Sequence, residues 1–344
     1  MSVDLNDYIC RSPFEYTEIY KGKQTMCCPA WLDKDIMVTD NLVDNWNSEL
    51  ANEIRKSVSD GSFRHCSKTN CPSLSTLINT GRESGPINRK VNFTPHKNTT
   101  PKIVKFLFDN ACNLACPSCR TDFIKNDNEI YVSSKSILDN ITDGYGQTLE
   151  EIQLSGLGDP FYSDAFFEFL QNVNKTQFPN LQKIHLHTNG MLWNESNWSK
   201  ISNGHPYIKG AEISIDAATK DTYEVVRRGG KWDILQRNLN FINQIETLDY
   251  LTVSFVVQKA NYKEMVDFYY LMKKTFNNFS EKWDNDFKFT INFYRILDWG
   301  HLKDAYQEKQ IWNPEHEEYS EFISEVNKLN NVEDKEKFLV HNLW

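Results

Sequence analysis

The sequence predicts an α/β protein: a partial (β/α)6 barrel preceded by a small α+β domain built around cysteines. Three observations predict it. From Lys102 onward, short runs of strand character alternate with helical ones. Those strand runs are themselves two-sided, apolar on one face and polar on the other. All eight cysteines fall within the first 119 of the 344 residues.

The strand runs are residues 102–109, 151–155, 183–187, 211–216, Tyr250–Val257 and 287–294. Helical segments lie between them at 134–145, 163–173, 195–201, 231–247 and 261–276. In the last, Tyr262, Met265, Tyr269, Met272 and Phe276 recur at helical spacing, with Asn261 and Glu264 placed as a start signal. Those residues are most simply core. Strands alternating with helices argue for βαβ units and a parallel sheet, and six units make a partial barrel.

The two-sidedness runs through four strands. Ile213 and Ile215 share one face, while Glu212, Ser214 and Asp216 share the other. Ile184 and Leu186 oppose His185 and His187. Leu251, Val253, Phe255 and Val257 oppose Thr252, Ser254 and Gln258. Phe287, Phe289, Ile291 and Phe293 oppose Lys288, Thr290, Asn292 and Tyr294. Strand residues alternate between faces, so the apolar set packs on the helices and the polar set points the other way. Buried parallel strands usually read as continuous apolar runs, and a closed TIM barrel fills its interior with branched apolar side chains. A polar interior is costly unless water, a cofactor or a polar substrate satisfies it. A single His185 would be no more than a satisfied interior histidine. Four such strands point to an open, TIM-like barrel whose inside is the active site.

In parallel α/β folds the working loops follow the carboxyl ends of the strands. The first carries Cys112-Asn-Leu-Ala-Cys116-Pro-Ser-Cys119, three thiolates on one short loop. A cubic iron–sulfur cluster takes four cysteine ligands, so three leave one iron open to chelate something else. Zinc with a histidine as fourth ligand is the alternative metal reading. The second strand ends in Leu154-Ser155-Gly156-Leu157-Gly158-Asp159-Pro160, where glycines admit a close ligand and Asp159 supplies a carboxylate. The third ends in Thr188-Asn189-Gly190. The fourth ends in Ser214-Ile215-Asp216-Ala217-Ala218, followed by Tyr223 and the turn Arg227-Arg228-Gly229-Gly230.

In this order, from about Cys112 to Gly230, these stretches resemble the radical SAM enzymes that carry SPASM or twitch auxiliary domains. A weaker echo follows in Gln258-Lys-Ala-Asn261 and Asp298-Trp-Gly300. The resemblance implies that Cys112, Cys116 and Cys119 bind a 4Fe-4S cluster that chelates S-adenosylmethionine. It implies that Gly156, Gly158 and Asp159 contact the amino group of that cofactor, and that Ser214 and Arg227 hold its carboxylate. Asn189 and Asp216 would lie near its ribose or the substrate, with Asp216 the catalytic candidate. Ser118 stands where the family often has an aromatic residue, and Asp159 where it more often has glutamate.

Residues 1–95 read differently, with Cys10, Cys27, Cys28, Cys66 and Cys71 and few long periodic segments. Phe14 to Tyr20 and Gln24 to Cys27 flank Lys21-Gly22-Lys23 as a hairpin. Residues 45–58 read as a helix. Cysteines before and after a hairpin, then a helix, then a close pair resemble a twitch or half-SPASM domain holding one auxiliary iron–sulfur cluster, here ahead of the barrel. The family ligand after the hairpin commonly lies five residues beyond the turn glycine. From Gly22 that implies Cys27, so the ligands would be Cys10, Cys27, Cys66 and Cys71, with Cys28 spare. A four-cysteine zinc module follows the same hairpin logic.

The expected organisation is thus a cysteine domain over 1–95, the barrel over 96–300, and a helix and tail over 301–344. The resemblance implies reductive cleavage of S-adenosylmethionine to a 5′-deoxyadenosyl radical that takes hydrogen from the substrate. The second, auxiliary cluster, also of 4Fe-4S type, would assist. Substrates would be a peptide or protein, or a small polar sugar-like molecule, and the reductant a flavodoxin or ferredoxin. A zinc-binding interaction protein and a radical SAM group-transfer enzyme are the alternatives. A net charge of −9 argues against nucleic-acid or anionic-membrane partners. No apolar run approaches the ~18 residues of a membrane span. The start MSVDLNDYIC has no basic or apolar leader, so a cytoplasmic, reducing location is expected.

Overall fold

The computed structural model describes residues 3–20, 23–32, 45–93, 95, 100–154, 156–281, 288–298, 302–303, 305–341 and 343. Of the sequence expectations, Lys21-Gly22, Ser155, Phe287 and Trp299-Gly300 lie outside these residues. Two compact units divide the chain. One comprises Met1–Asp109, Glu129–Leu157 and Val173–Ile184, and the other Asn110–Asn128, Gly158–Asn172 and His185–Trp344.

The first unit runs β1 (Tyr8–Cys10), α1 (Ser12–Glu15), β2 (Tyr16–Tyr20), β3 (Lys23–Thr25), α2 (Glu49–Ser59), α3 (Pro72–Thr80) and β4 (Ile87–Arg89). It continues with β5 (Ile103–Leu107), nearly all of α4 (Asn128–Tyr145) and β6 (Glu151–Leu154). Local chemistry sets the helix ends. Ser48 Oγ accepts from Ala51 N at 3.2 Å to start α2, and Gly81 at φ 71° closes α3 in the left-handed conformation. Tyr8, Ile9, Phe14, Val58, Phe63, Leu74, Leu77 and Ile87 form a buried cluster, with β1 and β4 paired antiparallel beside it. The expected hairpin is present as the antiparallel pair β2–β3. Its strand β2 also pairs in parallel with β5, Tyr16 opposite Ile103 and Tyr20 opposite Leu107, and β5 pairs with β6. That pairing joins residues from both sides of position 95 into one unit.

The second unit holds α5 (Asp164–Asn172) and β7 (Lys183–Thr188), whose first two residues belong to the first unit. Then come α6 (Glu195–Lys200), β8 (Ile208–Ser214), α7 (Lys220–Val226), α8 (Trp232–Ile242) and β9 (Tyr250–Val257). After a 3-10 turn at Tyr262–Glu264 follow α9 (Met265–Thr275), α10 (Asn277–Glu281), β10 (Lys288–Arg295), α11 (Ala305–Lys309), α12 (Tyr319–Leu329), α13 (Lys335–Phe338) and β11 (Leu339–His341). Strand order in this unit is β7-β8-β9-β10-β11, with the last three pairings parallel. The protein is therefore α/β with mostly parallel strands.

The apolar strand face packs on helices, as the alternation requires. Phe255 and Phe293 meet Phe268 of α9 edge-on, and Phe289 meets Phe276 and Phe338. Met265, Phe268, Tyr269 and Met272 are fully buried. Gly210 in β8 is where the Tyr250 ring lies: a Cβ there would sit 1.9 Å from it, so only glycine fits. The C-terminal tail differs from expectation. Residues 339–341 add a parallel strand to β10, a segment too short for periodicity to reveal. Among the described residues no helix is long and apolar enough to cross a membrane.

Candidate metal centre

The cysteine triplet sits in the second unit, on the loop that follows β5. The backbone folds this loop onto itself and onto the 227–230 turn. Cys112 N donates to Ile124 O at 3.0 Å, Arg120 N to Cys116 O at 3.0 Å, and Ala115 N to Arg228 O at 2.9 Å. Each sulfur then meets an N–H donor. Cys112 Sγ accepts from Leu114 N at 3.5 Å and Asn189 Nδ2 at 3.7 Å. Cys116 Sγ accepts from Arg227 Nη1, and Cys119 Sγ from Arg120 Nη2, both at 3.6 Å. Burial, helped by the charge of Asp159, pushes the Cys112 thiol up to about 12. Burial also raises Cys116, against the pull of Arg227. The thiolate, not the thiol, ligates metal, and N–H donors aimed at sulfur favour the thiolate and tune an iron–sulfur centre. This donor set fits a cluster held by cysteine sulfurs.

Arg227 is fixed from behind. Its Nη2 lies 2.8 Å from Asp216 Oδ2, a carboxylate with 0 % exposure. Burial alone would lower the guanidinium, but the charges of Asp216 and Cys116 raise it. Asp216 adopts φ 66°, which a non-glycine residue holds only when its surroundings insist. They do. Its Oδ1 accepts from Val256 N at 2.7 Å, and its carbonyl accepts from Asn261 Nδ2 at 2.9 Å. Asp216, the expected catalytic candidate, is thus buried and paired with Arg227.

Asp159, expected near the amino group of the cofactor, is likewise held by the protein's own donors. It too has 0 % exposure, and its oxygens accept from Thr188 Oγ1 (2.7 Å), Asn189 N (2.9 Å) and Phe161 N (3.0 Å). Burial raises its carboxyl in spite of these bonds. Its carboxylate fastens the end of β7. Asn189, so fastened, reaches Cys112 Sγ and also donates to Asn113 Oδ1 at 2.9 Å. Ser214 pairs with His187 Nε2 (3.0 Å) and Ser254 Oγ (3.1 Å), not with Arg227. Gly158 opens the segment leading to Asp159. Gly156 belongs to the first unit, at φ 149° with a notional Cβ 2.5 Å from Leu107, so no larger residue fits.

The first unit gathers the other cysteines. Cys10, Cys66 and Cys71 all pack on the Tyr8–Ile87 cluster, and Cys27 feels the charges of Cys10 and Cys71. Burial pushes the Cys10 thiol up to about 11 and Cys66 to about 12, with neighbouring thiols adding to it. Cys28 is also raised, by burial and then Glu18, while Lys105 opposes. All eight cysteines are free thiols. Among the described residues no three His, Cys, Asp or Glu side chains converge as one ion needs.

Three contributors escaped the sequence reading. Arg120 is signalled only by adjacency to Cys119. Asn261 was expected as a helix start signal, and its side chain instead braces Asp216. Glu264, expected as part of that start signal, accepts from Ala218 N, Thr219 N and Thr219 Oγ1 at 2.7–3.1 Å and also from Thr222 Oγ1.

Residues 102–237 match the family model described as a 4Fe-4S single cluster domain. The GTP 3′,8-cyclase of Alkaliphilus oremlandii (strain OhILAs) is 28% identical over 131 residues, 38% of this chain and 39% of that protein. The chain thus spans well under half the length of this curated relative. Streptococcus suis SuiB, solved bound to S-adenosylmethionine, is 12% identical with a TM-score of 0.44, over 98% of this chain and 72% of its own. Native anSMEcpe with bound AdoMet and Cp18Cys peptide is 23% identical with a TM-score of 0.36, over 57% of this chain and 51% of its own. Over residues 102–237 the chain is thus similar to 4Fe-4S single cluster domains, and over 131 residues to a GTP 3′,8-cyclase.

Proposed function

We propose that the chain is a radical SAM enzyme in which Cys112, Cys116 and Cys119 hold a 4Fe-4S cluster with one iron open to S-adenosylmethionine. One observation carries this reading: three cysteines of a single loop, each sulfur met by its own N–H donor. When bound and reduced, such a cluster supplies the electron that cleaves S-adenosylmethionine to a 5′-deoxyadenosyl radical, which takes a hydrogen atom from substrate.

The protein's part is to bind, orient and shield. Arg227, locked by Asp216, holds a cation against Cys116. Arg227 Nε, Gln258 Nε2 and Tyr223 OH are buried donors with no hydrogen-bond partner among the described residues. Unmet buried donors are costly, and an anionic carboxylate such as that of S-adenosylmethionine would meet them. Asn189 ties the end of β7 to Cys112. In the first unit, Cys10, Cys27, Cys66 and Cys71 would hold an auxiliary cluster as electron acceptor or substrate anchor, in the manner of a twitch or SPASM domain, with Cys28 spare. The outcome would be oxidation or modification of a polar substrate, with electrons from a flavodoxin or ferredoxin.

The test is chemical. Anaerobically reconstituted protein with dithionite produces 5′-deoxyadenosine from S-adenosylmethionine, and the variant with Cys112, Cys116 and Cys119 all changed to alanine does not. Equal production by both proteins would end this reading.

A further inference from the structure

The pairing of β8 with β9 ends at Ser214 opposite Ser254, and just past it Ile215 N donates to Ser254 O at 3.0 Å. Beyond that point side chains hold the two segments together. Asp216 Oδ1 accepts from Val256 N at 2.7 Å, and Asn261 Nδ2 donates to Val256 O and to Asp216 O, both at 2.9 Å. Asn261 Oδ1 accepts from Gln258 N at 2.9 Å. Both amide hydrogens of Asn261 and its oxygen are therefore engaged, on a residue only 1 % exposed.

The point they hold is strained. Asp216 stands at φ 66°, where a residue with a side chain stays only when its surroundings over-determine it. Asn261 grips its carbonyl, Val256 N its Oδ1 and Arg227 its Oδ2. Arg227 in turn places Nη1 3.6 Å from Cys116 Sγ. Asn261 is thus one end of a run of contacts whose other end is a cysteine of the triplet. Its neighbour Tyr262 is attached elsewhere. The Tyr262 hydroxyl lies 2.8 Å from carboxylate oxygens of Glu318 and Glu321, and its ring meets Phe322 of α12. Two adjacent buried residues therefore serve different neighbours of one short segment.

We propose that Asn261 is a positioning residue for the cluster: by fixing the left-handed backbone of Asp216 it aims the Arg227 guanidinium at Cys116, and so raises the reduction potential of the cluster bound there. Reduction adds an electron, and a cation donating to a ligand sulfur favours the more negative state. With the Asn261 amide removed, the Asp216 backbone leaves the left-handed region and its carboxylate turns. Arg227 then loses the anchor that keeps it on Cys116. This assignment rests on the reading above for the presence of a cluster on Cys112, Cys116 and Cys119.

A redox titration of the anaerobically reconstituted protein, followed by electron paramagnetic resonance without S-adenosylmethionine, reads this cluster directly. Its signal is the one missing from the variant with Cys112, Cys116 and Cys119 all changed to alanine. At a fixed applied potential, the ratio of reduced to oxidised cluster in Asn261→Ala should be about ten-fold below that of wild type, equivalent to about 59 mV for one electron. Asn261→Ser, which keeps an oxygen for Gln258 N, should show a fall in the same direction and serves where the alanine variant takes up no iron. Tyr262→Phe is the control for a merely structural role and should stay within about two-fold of wild type. An unchanged ratio in Asn261→Ala, or an equal fall in Tyr262→Phe, overturns the proposal. Failure of both Asn261 variants to take up iron overturns it too, because Asn261 would then be a folding residue. Wild type without a cluster on the triplet refutes the radical SAM reading and this assignment together, whereas a cluster whose potential ignores Asn261 refutes this assignment alone.

Discussion

Asp216 and Arg227 form the most consequential pair of side chains in the second unit. Removing the cation leaves an uncompensated carboxylate with 0 % exposure. Arg227→Met should therefore lose about 3–5 kcal/mol of stability, visible as a large fall in thermal midpoint. A loss below about 1 kcal/mol, the worth of a surface pair, would mean the pair is solvated in practice. Asp159→Ala belongs to the same scale. It strips the acceptor from Thr188 Oγ1, Asn189 N and Phe161 N, at about 1–3 kcal/mol for each donor left buried. Asp159→Asn, which keeps an acceptor, should recover much of that loss in the same melt, and no recovery would contradict a fastening role. The cysteine triplet was legible in the sequence because its spacing is local and chemically specific. The partners of Asp159 and Asp216 were not. Asp159 closes on Thr188, 29 residues away, and Asp216 on Val256, 40 residues away, and the left-handed backbone at Asp216 has no glycine to announce it.

The strands that position the site were read well wherever their alternation was unbroken. The segment Tyr250–Val257 has the expected bounds, and β7 extends one residue beyond expectation. β8 begins at Ile208, three residues earlier than the pattern suggested, because Lys209-Gly210 interrupts the alternation. The helix expected over 231–247 stops at Ile242, where side-chain periodicity persists but backbone bonding turns at Asn243. The helix start at Asn261 and Glu264 shows how one residue type serves two scales. The carboxylate expected to start its own helix instead caps the segment leading into α7. Glu264→Ala should accordingly speed amide exchange at Ala218 and Thr219 by at least about ten-fold, the equivalent of ~1.4 kcal/mol, with little change at β9. Unchanged exchange at those two amides would show that the carboxylate does not hold that segment.

For the whole molecule, the alternation of strand and helix patterns gave the right class, α/β with mostly parallel strands. The division into two compact units was not legible, because it depends on β2 pairing with β5 across some 80 residues of chain. The account makes two cysteine centres separable. Changing Cys10, Cys27, Cys66 or Cys71 to alanine should cost about four irons and spare substrate-free cleavage of S-adenosylmethionine, whereas Cys28→Ala should keep the iron. Iron lost by Cys28→Ala and kept by Cys27→Ala would reverse that ligand assignment. The central claim is that Cys112, Cys116 and Cys119 bind one cubic cluster. The most direct measurement is the iron and sulfide content of anaerobically reconstituted wild type beside the variant with all three changed to alanine. Wild type should hold about eight irons per chain and the variant about four. Equal iron in the two proteins, or zinc in place of iron in wild type, would contradict it.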